Sequence, residues 1–227
     1  MKAKNIALLI FLIIAVIELL SKIFGWYSIG AIHITVKPLL MPSLIAYFFF
    51  SVERRNMLAY LIILALVFSW IGDLMLMFDE VASIYFMLGL ASFLFAHITY
   101  IFIFNKSSQD FKPKVFTYST GFLLVIFGGL MVTLMWAGLG TLKLPVTIYT
   151  SIIMVMGTAA LFRKAAGASM VLIGAMLFIT SDALLALNKF YQTFMAADFW
   201  VMLTYILAQY FIVTGMINYF SSLTYKE

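Results

Sequence analysis

Apolar residues run along this chain in blocks of about twenty, separated by short polar segments, with no period-two alternation of the kind that marks a membrane β-strand. A helix of twenty residues crosses about 30 Å of hydrocarbon. The blocks predict eight helices, roughly 5–24, 34–51, 57–78, 82–104, 115–138, 143–162, 168–188 and 197–220, forming an all-α polytopic membrane bundle with 1–227 as one integral membrane domain. Pro38 and Pro42 are placed at the opening of the second span, where the first turn of a helix tolerates proline. Lys2 and Lys4 ahead of an apolar stretch resemble a signal peptide, but the following ELLSKIFG lacks a small-x-small cleavage site. An uncleaved first helix is therefore expected.

Composition supports the membrane reading. Of the 227 residues, 65% are hydrophobic and 10% charged, where a soluble domain carries about 25% charged residues; the mean hydropathy is +1.12. There is no cysteine, which excludes disulfides, thiolate metal sites, iron–sulfur clusters and a cysteine nucleophile. Two histidines, His33 and His97, cannot make a three-histidine zinc site. The net charge of +5 reads as positive loops facing anionic membrane lipids. It does not read as nucleic-acid binding, because the longest loop, NKSSQDFKPK around 105–114, is only a connector.

Lys and Arg also predict orientation. With both termini cytoplasmic, Lys2, Lys4, Arg54, Arg55, Lys106, Lys112, Lys114, Arg163, Lys164 and Lys226 lie inside, and Lys22, Lys37, Lys143 and Lys189 outside. Trp26, Trp70, Trp136 and Trp200 then fall near outer ends as an interfacial belt. The chain is expected in a bacterial inner (cell) membrane. IGDLMLMF at 71–78 and TSDALLAL at 180–187 echo one another near the ends of the third and seventh helices, as a duplicated four-helix unit would.

Each ionisable group inside a span costs roughly 2.5–3.5 kcal/mol and needs a reason. The groups are Glu18, Lys37, Asp73, His97 and Asp182. From the rise per residue, Asp73 lies about 24 Å, Asp182 about 21 Å and Glu18 about 20 Å from the inner end of its helix. Lys37 lies one turn inside the outer end, so four charges converge on the outer third of the membrane, while His97 belongs to the inner half. An N-cap role fails for both aspartates, which sit toward helix C-termini, where the dipole disfavours them. A structural ion pair with Lys37 or Lys189 remains an alternative. Glu18 and Lys22 form an i,i+4 pair in the favourable order, Lys37 can snorkel, and His97 can serve packing. Asn188 and Lys189 cap the seventh helix or rim a pocket.

Two carboxylates in one desolvated site divide into an acid and a base. That arrangement suits acid-catalysed cleavage of acetal-like and ether bonds, peptide hydrolysis, or ion coupling. A buried site without an extramembrane domain favours a lipid substrate entering sideways, and a single-chain lipid leaves its leaflet most easily. The alternative is a proton- or cation-coupled membrane carrier using the same aspartates. An aspartyl protease is disfavoured, since Trp70 stands where the first glycine of GxGD would be.

VKPLLMP (36–42), IGDLML (71–76), LGLASFLFAHITY (88–100) and GAMLFITSDALLALNKF (174–190) together resemble the YhhN family, which contains the TMEM86-type lysoplasmalogenases. The resemblance covers most of the chain and implies an ether hydrolase. Its reaction would cleave the vinyl ether of a lysoplasmenyl phospholipid into a fatty aldehyde and a glycerophospho-head group. Asp73 and Asp182 match the motif aspartates, and Lys37 and His97 fall on motif positions; VKP stands where TKP is expected. The implied catalytic residues are Asp73 and Asp182; the candidate residues around the lysophospholipid substrate are Lys37, His97, Glu18, Ser181, Asn188 and Lys189. The reaction needs no metal or redox cofactor.

Overall fold

A computed structural model describes residues 2–24, 31–109 and 115–224, leaving aside the side chains of 31–34 and 116. Trp26, Lys112, Lys114 and Lys226, used above for the belt and the orientation, lie outside the described residues. Eight α-helices and no strand occur among the described residues: α1 (Ala3–Ile23), α2 (Ala31–Ser51), α3 (Met57–Leu76), α4 (Ser83–Lys106), α5 (Val115–Met135), α6 (Lys143–Leu161), α7 (Ala168–Phe190) and α8 (Ala197–Thr224). Seven are long and apolar enough to cross a membrane, and α2 is apolar over Thr35–Ser51. The chain is an integral membrane protein. Two compact units form, one of Met1–Tyr100 with Met216–Glu227 and one of Ile101–Gly215.

In the first unit, α3 and α4 run antiparallel in close contact. The Ser92 hydroxyl donates to the Phe68 carbonyl at 2.6 Å, and one turn further Gly72 and Gly89 bring the helices together. A Cβ at Gly72 would stand 2.6 Å from the Phe93 ring, and one at Gly89 would stand 3.3 Å from the Gly72 carbonyl.

The prolines of α2 correct the sequence reading. The helix begins at Ala31, so Pro38 and Pro42 lie in its interior rather than its first turn. Pro42 has no N–H for the Pro38 carbonyl four residues earlier. The indole Nε1 of Trp70, on α3, donates to that carbonyl at 2.8 Å. Trp70 thus replaces a missing backbone donor, beyond any role in an interfacial belt.

In the second unit, α7 and α8 meet along a seam of small residues seven positions apart. A Cβ on Gly167 would collide with the backbone of Gly215, and one on Gly174 would stand 2.7 Å from the Ala208 carbonyl. Seven residues on, the Ser181 hydroxyl donates to the Val201 carbonyl at 2.9 Å. Without water to drive apolar association, close backbone approach through small residues supplies dispersion contact between membrane helices. Gly167 also opens α7 with φ +71°, where a side chain would be strained.

Arg163 is buried. Its Nε donates to the Ser107 hydroxyl at 2.8 Å, while the Lys164 amide donates to the Ser108 hydroxyl at 3.0 Å and the Gln109 amide to the Lys164 carbonyl at 2.9 Å. These bonds clasp the segment after α4 to the segment after α6.

Two pairs of substitutions test these contacts by thermal unfolding in detergent. Trp70→Phe is expected to destabilise by about 1–3 kcal/mol, the cost of a carbonyl left unanswered away from water, and Pro42→Ala added to it is expected to recover much of the loss by restoring an N–H. Gly174→Val should lower the melting temperature sharply because it meets backbone, whereas Gly129→Ala, with nothing within 4 Å of its Cβ, should be neutral or slightly stabilising.

Candidate functional site

Four ionisable residues inside the spans of the first unit lie on the inward stripes of their helices. On α1 the buried positions are Ala7, Phe11, Ala15, Glu18 and Ser21. On α2 Lys37 continues the stripe of Leu40, Leu44 and Phe48, and on α3 Asp73 follows Ile62, Leu66 and Ser69. His97 is fully buried on α4 between Phe93 and Tyr100. Four side chains that would be expensive against lipid are thus turned away from it, and large apolar residues such as Leu9, Ile13 and Val16 are exposed instead.

A cavity lined by Lys4, Ser51 and Asn56 places the start of α1, the end of α2 and the start of α3 at one end of the unit. Measured along the helices from that end, Lys37 is about 21 Å away, Glu18 about 22 Å and Asp73 about 24 Å. These three share one level. His97 lies five residues beyond Ser92, which is level with Phe68, and so sits about 15 Å closer to the shared end than Asp73. Glu18 is answered within its own helix by Lys22, 3.7 Å away, with both side chains buried. The Asp73 carbonyl accepts from the Met77 amide at 3.2 Å as α3 ends.

In the second unit, Asp182 is half-buried on α7, and its Oδ2 accepts a short hydrogen bond from the hydroxyl of Tyr149 on α6. Tyr149 is buried and was not singled out in the sequence. The available signal was a tyrosine two turns into an apolar span, whose hydroxyl must find an acceptor once buried. The bond fixes the Asp182 carboxylate against a second helix. Ser181 is held by the α7–α8 seam. Asn188 Oδ1 accepts from the Phe194 amide at 3.3 Å and so pins the turn after α7. Lys189 is exposed. Among the described residues there is no group of three or more His, Asp or Glu side chains that could hold a metal ion.

Breaking the buried Glu18–Lys22 pair leaves a carboxylate in a site built for two charges. Lys22→Met is expected to cost about 3–5 kcal/mol, read as a lowered detergent melting temperature, and Glu18→Gln in that background should restore part of it.

A model of the YhhN family matches residues 32–216. That span contains Lys37, Asp73, His97, Tyr149 and Asp182, while Glu18 lies before it. Over 170 residues the chain is 31% identical to a protein of Bos taurus named lysoplasmalogenase TMEM86A, a match covering 69% of this chain. It spans 65% of the length of that relative. No solved structure matches the chain.

Proposed function

The chain belongs to the YhhN family, and on that premise we propose that it is an intramembrane hydrolase of lysolipids that cleaves a vinyl ether. The observation that carries this reading is the 31% identity to a lysoplasmalogenase over 69% of the chain, beside a family match whose span, 32–216, includes both aspartates. The inward placement of Asp73 supports it, because a carboxylate inside a span is costly and needs a role, and the Tyr149 bond holds the Asp182 carboxylate in one position.

The reaction asks for a proton donor and a proton acceptor. Protonation of the vinyl β-carbon breaks the carbon–carbon π bond and leaves an oxocarbenium ion at the ether carbon. Water adds to that carbon and loses a proton to a carboxylate, giving a hemiacetal. The hemiacetal collapses to a fatty aldehyde and the glycerol hydroxyl of the head group, so one water is consumed and the donated proton is returned. Asp73 and Asp182 are assigned these acid and base roles, with an ionised carboxylate stabilising the developing cation. Tyr149 acts through Asp182 as a positioning residue. Lys37, the buried cation at the level of Asp73, suits the phosphate of the substrate or offsets carboxylate charge.

The test is fatty-aldehyde release from lysoplasmenylethanolamine by the detergent-purified protein. Asp73→Asn and Asp182→Asn are each expected to reduce turnover by about 10²–10⁴-fold with melting temperatures close to the parent. Tyr149→Phe should lower kcat by about tenfold with little change in KM, since it loosens the geometry of a reacting group rather than substrate contacts. Near-parental turnover in either asparagine variant would sink the assignment.

A further inference from the structure

The cavity at the shared end of α1, α2 and α3 is walled on one side by the last turns of α8 and measures about 450 Å³. Lys4, Arg54 and Arg55 line it beside the apolar side chains of Phe220 and Leu223, with Glu53 as the one carboxylate among the described lining residues. A positive-inside bias explains why cations occur in this segment. It does not explain how Arg55 is held. The Arg55 Nη2 donates to the Phe49 carbonyl at 2.7 Å, and its guanidinium stacks 3.6 Å over the Phe49 ring. A cation placed only to meet water needs neither anchor.

Arg55 Nε is buried and has no hydrogen-bond partner. A guanidinium N–H left without an acceptor is costly, and its planar fork matches the oxygens of a phosphate. Three cations around a cavity at the end of membrane-spanning helices, with an apolar wall on one side, form the kind of basic pocket that takes a lipid head group. We infer that this cavity binds the phosphate of an anionic membrane lipid.

The site is separate from Asp73. α3 begins beside the cavity and Asp73 follows sixteen residues later, about 24 Å along the helix. Only a few bonds join the phosphate of a lysolipid to its ether, so a substrate reaching Asp73 cannot also fill this pocket. The inference therefore stands whether or not the hydrolase reading holds.

The full-length protein in detergent is titrated with phosphatidylglycerol, phosphatidylcholine and glycerol 3-phosphate, read by thermal shift and native mass spectrometry. Phosphatidylglycerol is expected to bind and raise the melting temperature, and phosphatidylcholine is not. The paired change Arg54→Gln with Arg55→Gln should weaken phosphatidylglycerol by about tenfold or more, while Lys143→Gln, distant in sequence from the pocket, leaves it unchanged. Arg55 also anchors Phe49, so Lys4→Gln is run alongside. It should weaken the lipid several-fold without moving the lipid-free melting temperature, and it decides the matter if the arginine variant does not fold. Glycerol 3-phosphate binding as well as the lipid keeps the phosphate site and assigns it to a soluble phosphomonoester. Equal response to both lipids, no response to phosphatidylglycerol, or undiminished binding in the folded variants overturns the inference.

Discussion

Hydrocarbon cannot solvate a charge, and that penalty sets which face of α1, α2, α3 and α4 looks inward. The outer surface of the fold is apolar as its core is, and four ionisable residues inside those spans are buried. Leu9, Ile13 and Val16 on α1 and Phe122 and Val125 on α5 are exposed, while Glu18, Lys37, Asp73 and His97 are buried. Where a partner is visible it is supplied close at hand. Lys22 answers Glu18 from the next turn, and Tyr149 answers Asp182 from a neighbouring helix. The membrane thus selects inward stripes first, and whatever chemistry the carboxylates perform is built on that selection.

The second constraint is the approach of backbones. In both IGDL and TSDA the residue before the aspartate is small, and in both it lies at a tight helix contact: Gly72 against Phe93 and Ser181 against the Val201 carbonyl. The sequence echo between the third and seventh helices therefore has a physical content. A small residue lets one helix come close, and the aspartate beside it is carried into the interior by the same turn.

Much of this was legible because lipid imposes simple rules. The number of helices follows from run length, and the ionisable positions worth attention follow from their rarity. What could not be read is what an apolar sequence hides. When one face of a helix meets lipid and the other meets protein, both are hydrophobic, so periodicity marks a face only where a polar residue happens to fall. The pairing of Tyr149 with Asp182 joins two helices 33 positions apart along the chain, and nothing local to either residue announces the other. The interior place of the α2 prolines is hidden for a related reason, since the donor that makes Pro42 tolerable belongs to Trp70 on a different helix. The seven-residue spacing of Gly167, Gly174 and Ser181 was present in the sequence but becomes a seam only against Gly215, Ala208 and Val201.

That seam has a mechanical meaning. Helices that meet through long side chains can slide, because rotamers readjust around a shifted neighbour. Along Gly167 and Gly174 the contact is between backbones, and at Ser181 it is a hydrogen bond to backbone, so there is little side-chain bulk to absorb a displacement. Over this stretch α7 and α8 behave as a single stiff lever, and Asp182 rides on it, one residue past the last fastening. Any parting of helices that admits a lipid chain to Asp182 has to occur along the other flanks of α7, with the α7–α8 pair as the fixed side of the opening.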